Sequence, residues 1–416
     1  MFHQTFLQVN EDIWSYLTLF SACVNILTVD GAMYSNGLFT NKLSHYLEAI
    51  EEEVQRAANL EVVCSAVFFL VATLLTMHFG PKLVAVAGSS IAAIGWLSAA
   101  KMVTNTSQLI LCQSALVGVG FGLMYVPSIV AVGAKFSTNR SWALGCATCG
   151  SAAGQIVISL LIGVLLDDFA LTWQNIYNGL AIACFFASFV AFLFIPWSVK
   201  RDSGEGAAPD EPNSEEGPIA AGEGQREISN LGKIGIFFLH LLEDAFAVMA
   251  IYMPYASIPL VSSKMAKNLI TWVGGGSLCG RYFAGSLCNK AWLRIVHKML
   301  LILAALAIAA VIPSLHAKLL DLPIAPQVLC FLLGGATGIW ISSTSPVLID
   351  LLGVDNLGLA FGVLTLARGG AALISELVVS KAEQDSGDLM PLYISTCLFS
   401  TAVVFLSLAA FLVRKL

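Results

Sequence analysis

Charge is scarce in this chain. Charged residues make up 12% of its 416 positions and apolar residues 57%, whereas a soluble globular domain carries about 25% charged residues. That composition excludes an ordinary water-soluble domain. No tract of Lys and Arg is present of the kind that binds nucleic acid, and the net charge of −6 collects largely in one loop. Also missing are a nucleophile with its base, a phosphate-cradling glycine loop and a metal-ligand spacing. We therefore expect no enzyme, no cofactor and no metal site. The residues up to Ile13 lack a cationic start followed by an apolar core, so no cleaved signal peptide is expected.

Cysteine, by contrast, is plentiful. All ten cysteines fall inside apolar runs, where they serve as small packing residues. Cys146 and Cys149 form a CxxC, but Gly145, Ala147, Gly150, Ser151, Ala152 and Gly154 surround it. That stripe reads as a face for close helix contact rather than a redox or metal motif.

Helix-length apolar runs recur along the chain, and about 18 or more apolar residues suffice to cross a bilayer. Spans are expected near 14–38, 61–79, 83–101, 109–133, 143–165 and 175–197, then near 234–256, 268–288, 298–314, 325–349, 358–380 and 391–413. Between the sets, residues 198–232 are rich in Gly, Pro, Ala and Glu and cannot bury enough apolar surface to fold. The expected architecture is an all-α membrane protein of twelve transmembrane helices. It comprises an N-terminal six-helix bundle (1–197), a disordered acidic linker (198–232) and a C-terminal six-helix bundle (233–416). Two halves of similar length joined by a polar linker fit a transporter whose site lies between them.

Loop cations set the orientation. With both termini in the cytoplasm, twelve Lys and Arg fall inside, among them Lys82, Lys135, Arg140, Lys233 and Lys415. Seven fall outside: Lys42, Arg56, Lys101, Lys264, Lys267, Lys318 and Lys381. The excess places the linker and termini inside, and the sequon at Asn105 outside as a glycosylation candidate.

Several stretches resemble the monocarboxylate transporter family (solute carrier family 16) of the major facilitator superfamily. The fourth span reads Gly118-Val119-Gly120-Phe121-Gly122-Leu123-Met124-Tyr125-Val126-Pro127-Ser128, followed by Phe136, Arg140, Ala143 and Gly145. Near the end, Asp350-Leu351-Leu352-Gly353, Ala360-Phe361-Gly362 and Arg368-Gly369 look like the family's loop between spans ten and eleven. Pro254-Tyr255 and Arg281 with Ala284-Gly285 complete the pattern. The resemblance implies the major facilitator fold and carriage of small organic solutes, often carboxylates, with Arg281 at the site. Some departures are equally visible. Tyr34 stands where proton-coupled members have a lysine. Ser277 replaces the acid one turn before the arginine.

Intramembrane charges supply the remaining candidates, since each is costly at that depth unless it meets a cavity or a partner. Arg281 either anchors a solute carboxylate or pairs with Asp244. His240, Glu243 and Asp244 share one helix surface by their spacing and are proton-coupling candidates, the alternative being that one acid pairs with Arg281. Asp30 shares a face with Tyr34 four residues on, and either binds a cationic group or caps a kink at Gly31. Tyr34, Ser277 and Tyr125 are further substrate-binding candidates and Trp340 a cavity aromatic. Arg368 is an intramembrane charge that serves a structural pair or the solute. Lys135, Arg140 and Asp350 either form an inside gate or snorkel to headgroups.

The leading expectation is alternating-access transport of a small carboxylate-bearing solute, by symport with protons or without them, in the plasma membrane. Asp30 and Asp244 open the alternative of an amino-acid-like zwitterion or cation-bearing solute carried by facilitated diffusion. Two other possibilities are a non-transporting solute sensor and a requirement for a single-span chaperone subunit.

Overall fold

The computed structural model describes residues 2–136, 139–167, 169, 171–196, 230–261, 263–288, 325–353 and 356–385, with 402 and 405. Among the described residues twelve α-helices occur, α1–α12, and no strand. They are α1 (Phe2–Ser35), α2 (Thr40–Leu47), α3 (Glu51–Phe79), α4 (Pro81–Met102), α5 (Thr106–Leu109), α6 (Gly118–Lys135), α7 (Arg140–Asp167), α8 (Trp173–Phe194), α9 (Asn230–Val261), α10 (Ser263–Cys288), α11 (Ala325–Leu352) and α12 (Leu357–Asp385). Eight of the described helices are long and apolar enough to cross a bilayer. Helix is the physical answer to such a sequence, because lipid offers no partner to an unpaired backbone N–H or C=O.

The expected span at 298–314 lies outside the described residues, as do the span at 391–413 apart from residues 402 and 405 and the linker 198–232 apart from its last three positions. Elsewhere helices extend past the apolar runs that announced them. The second span was expected from residue 61, yet α3 begins at Glu51, because a helix continues into water after its apolar stretch ends. The fourth span is not uniform. Ile110–Val117 is wound as a π-helix between α5 and α6, and Pro127 lies inside α6.

Small residues set the distances between helices. A side chain at Gly154 of α7 would collide with the Leu27 carbonyl of α1, and Gly150 lies against the Cys23 backbone. The Cys23 thiol donates to the Cys146 carbonyl at 3.4 Å. The small-residue face around the CxxC is thus a helix-packing face, and both cysteines are free. In the C-terminal half, Gly276, Gly280, Gly334 and Gly338 fit α10 against α11 in the same way.

Two seams join the halves. Gly145 of α7 meets Gly285 of α10 backbone to backbone. Gly369 and Gly362 of α12 fit against Ala66 and Leu70 of α3, and the Thr73 hydroxyl donates to the Gly358 carbonyl at 3.0 Å. Leu348, Leu357, Ala360 and Phe361 are buried in the same apolar core as α6 and α7 residues such as Val132 and Leu144. The end of the molecule carrying the α6–α7 and α11–α12 turns is therefore sealed by apolar packing between halves.

Candidate functional site

Between the seams lies a cavity of about 220 Å³, lined from both halves. Asp30, Met33 and Tyr34 come from α1, Val62, Ser65, Ala66 and Phe69 from α3, and Tyr125 from α6. Val248 of α9, Arg281 of α10, Trp340 and Ile341 of α11, and Phe361, Thr365, Arg368, Gly369 and Ala372 of α12 face them. Tyr125 stacks on Phe361 across the halves, with ring centroids 6.3 Å apart, and Phe69 meets the same tyrosine at 5.4 Å. These rings form an apolar wall. The charged groups, Asp30, Arg281 and Arg368, meet around the tyrosines.

Arg281 is 3% exposed. Its Nε donates to the Ser277 hydroxyl at 3.1 Å, and one terminal nitrogen donates to the Thr148 carbonyl of α7 at 2.8 Å. A guanidinium has five N–H groups, so three remain, and no carboxylate pairs with this cation among the described residues. Ser277 does not line the cavity. One turn before Arg281, its hydroxyl holds the guanidinium in place. Asp30, from the opposite half, lies against Ser151 and in the field of Arg281. The Tyr34 and Tyr125 hydroxyls lie in the combined field of Asp30, Arg281 and Arg368. Tyr34 is 40% exposed, so the cavity is open along α1. α1 stays helical past Gly31 to Ser35, and the missing side chain there admits Gly154 and Ile158 of α7.

The expected Asp244–Arg281 pair is not the one that forms. Asp244 is fully buried and grips Arg368 with both oxygens: Nε donates to Oδ2, and a terminal nitrogen donates to Oδ1 at 2.8 Å. Arg368 also reaches the Thr344 hydroxyl at 3.2 Å and lies over the Trp340 ring at 4.8 Å. The reason is positional: α9 packs on α12, and this brings residue 244 to 368 rather than to 281. The indole N–H of Trp340 is buried without a partner among the described residues.

His240 and Glu243 do come together, with Nδ1 2.8 Å from Oε2, both buried. They lie behind the Asp244–Arg368 pair rather than in the cavity. At the sealed end, Arg140 Nε donates to the Phe136 carbonyl at 2.7 Å, while Lys135 and Asp350 are exposed. Asn105 is exposed and caps α5 by accepting from the Gln108 amide at 2.9 Å. No group of three His, Cys, Asp or Glu side chains suited to a metal occurs among the described residues.

Sequence reasoning missed Glu61, which is fully buried. An acid at the start of an apolar run reads as a span boundary, so the run was counted from it rather than through it. It missed Thr148 too, because a carbonyl acceptor leaves no mark in sequence.

Comparison with known proteins follows the same lines. A family model described as Major Facilitator Superfamily matches residues 19–375. Monocarboxylate transporter 12 of Xenopus laevis is 23% identical over 335 residues, covering 75% of this chain and 70% of that protein. The MFS-type transporter pytF of Aspergillus terreus is 27% identical over 193 residues, 44% of this chain and 58% of that one. Monocarboxylate transporter 13 of Rattus norvegicus is 27% identical over 165 residues, 39% of this chain and 37% of that one. The match thus spans less than two thirds of the length of the last two relatives. The major facilitator proton:xylose symporter XylE, solved with 6-bromo-6-deoxy-D-glucose, has the same fold, with a TM-score of 0.72 at 10% identity over 96% of this chain and 95% of that one. The fold and family are those of membrane transporters, not of an enzyme, and the chain is an integral multi-pass membrane protein that belongs to the Major Facilitator Superfamily.

Proposed function

We propose that this chain carries a small carboxylate-bearing solute across a membrane by alternating access, with Arg281 as the anchor. One observation carries the reading. Arg281 is a nearly buried cation with no carboxylate partner among the described residues, and its remaining N–H groups lie at a cavity shared by both halves. A guanidinium fork matches a carboxylate in two-pronged geometry, and a bare charge at that depth is expensive. The solute supplies the missing counter-charge. The Thr148 carbonyl ties the anchor to the other half, so occupancy bears on how the halves meet. Ligand contacts that differ between two states shift the balance between them.

Asp30 favours a second form of the same reading. It faces Arg281 from the opposite half, which suits a solute with an amino or other cationic group opposite its carboxylate. The Tyr34 and Tyr125 hydroxyls supply neutral contacts between the two charges. In this proposal the membrane is the plasma membrane, both termini are cytoplasmic, and the sealed end described above faces the cytoplasm. Proton coupling, where it occurs, uses His240 and Glu243.

The test is uptake into proteoliposomes of two labelled probes, a short monocarboxylate and its amino-substituted analogue. Arg281→Gln abolishes uptake of both at matched protein content. Arg281→Lys keeps the charge but not the fork and weakens uptake by roughly tenfold, as expected for loss of one charged hydrogen bond. Undiminished carboxylate uptake by Arg281→Gln overturns the anchor.

A further inference from the structure

Outside the cavity lining, the N-terminal half buries a carboxylic acid that the transport reading does not use. Glu61 of α3 has no exposed surface. Its Oε2 accepts the amide of Asn36 at 3.0 Å and that of Gln113 at 3.0 Å. Gln113 also donates to the Asn36 side-chain oxygen at 3.2 Å, and the Tyr177 hydroxyl donates to Gln113 Oε1 at 2.9 Å. Four elements meet here: the turn at Asn36–Leu38 after α1, helix α3, the π-helical stretch and α8. A lid of rings covers the group, with Tyr177 packed on Phe39 at 5.2 Å, Trp173 at 5.3 Å and Trp96 at 4.7 Å.

The other oxygen, Oε1, is buried and has no hydrogen-bond partner among the described residues. No cation pairs with Glu61 there either. The titratable groups that feel its charge are Cys64 on its own helix, and Tyr177 and Cys184 on α8, all neutral. An ionised carboxylate has acceptor sites on both oxygens, and this one satisfies a single oxygen. Burying that charge without a counter-ion costs several kcal/mol. A proton on Oε1 removes the charge and leaves Oε2 as the carbonyl oxygen that the two amides already address. A metal ion fits poorly, because the amides present N–H groups rather than oxygens to Oε2.

We propose that Glu61 is a proton-binding site, a neutral carboxylic acid while Asn36 latches the end of α1 to α3, the π-helical stretch and α8. Asn36 is two residues from Tyr34 and six from Asp30, both in the cavity wall, so a shift of α1 at the cavity pulls directly on the latch. When it parts, water reaches the carboxyl group. The Oε1–H bond breaks, the proton passes to water, and the hydrated carboxylate remains on α3. Reclosure takes a proton back. The site lies shallow in its spans: Tyr177 is four residues into α8, about 6 Å at 1.5 Å per residue. The path to the surface is therefore short.

The experiment is infrared spectroscopy of the purified, full-length protein without solute, in light and heavy water. At neutral pH the wild-type spectrum contains a carbonyl band of a protonated carboxylic acid that shifts on deuteration. Glu61→Gln removes that band, whereas the combined His240→Gln and Glu243→Gln variant retains it. Tyr177→Phe keeps the acid but frees Gln113, so the band moves in frequency. This variant covers the case in which Glu61→Gln does not fold. A wild-type spectrum without the band overturns the proposal. So does a wild-type-minus-Glu61→Gln difference spectrum that shows no lost carboxylic-acid component, or, where that variant does not fold, a band unmoved by Tyr177→Phe, and the network then serves packing alone.

Discussion

Asp244 of α9 and Arg368 of α12 form a two-pronged ion pair that closes the wall of the cavity behind Trp340. The acid is fully buried, while the arginine keeps 18% of its side-chain surface open. The pair therefore has two sides. Inward, it neutralises a charge that lipid-depth packing could not otherwise hold. Toward the cavity, it offers a cation already half spent on an internal partner. This division leaves Arg281 as the cation without such a partner, and it assigns the two arginines different work.

Breaking the Asp244–Arg368 pair should be worse than deleting it. Asp244→Asn leaves Arg368 facing an uncharged amide and costs about 3–5 kcal/mol, the usual effect of stranding one member of a buried pair. Asp244→Asn with Arg368→Gln leaves no net charge and recovers most of that loss. Thermal unfolding of the three proteins in one detergent checks this. Equal destabilisation by the single and double variants would show that the pair contributes no charge compensation.

Asp30 should set selectivity rather than stability. Its carboxylate faces Arg281 across the cavity and repels a plain anion while attracting a solute amine. Asp30→Asn should raise uptake of a simple monocarboxylate relative to its amino-substituted analogue, by roughly tenfold for about 1.4 kcal/mol of charge interaction. An unchanged ratio in a well-expressed variant removes Asp30 from the site.

The α1–α7 contact gives a purely steric prediction. Gly154→Ala places a methyl group into the Leu27 carbonyl and the Gly31 backbone, so the helices must separate. Overpacking of this kind costs typically about 1–3 kcal/mol. Gly179→Ala in α8 meets nothing within 4 Å and should be neutral or stabilising, by up to about 1 kcal/mol. Melting temperatures of the two variants, measured side by side, decide it.

Much of this arrangement was legible in the sequence because lipid removes alternatives. An apolar run of sufficient length must be helical, and a charge within it must meet a cavity or a partner. That logic brought Asp30, Arg281 and Arg368 forward, the family resemblance pointed to Tyr34, and Tyr125 entered as a cavity aromatic; all five line one cavity. It failed on pairing. Spacing along one helix shows that His240 lies near Glu243, but not which helix lies opposite Asp244, and Arg368 rather than Arg281 is its partner. It failed too on the role of Ser277, which looked like a vacated acid site and is a hydroxyl bracing the neighbouring guanidinium. The π-helical winding of Ile110–Val117 has no apolar period of its own, so Gln113 stayed hidden within a span.

Proton coupling gives the last prediction. Asp244 is committed to Arg368, which leaves His240 and Glu243 as the pair on α9 able to exchange a proton. Their facing atoms are 2.8 Å apart, and the outer imidazole nitrogen is buried without a partner among the described residues. Glu243 lies in the field of Arg368, so a proton on the pair is felt at the cavity wall. Histidine is the side chain that most readily exchanges a proton in the physiological range, which makes this pair the candidate carrier. With the outside more acidic, protons bind there and are released on the other side, so uptake of a monocarboxylate should rise with the inward gradient and fall when an ionophore collapses it. His240→Gln with Glu243→Gln should leave uptake the same with and without the gradient, while Asp244 and Arg368 keep the wall intact. A gradient effect of wild-type size in that double variant would place the coupling proton elsewhere in the carrier.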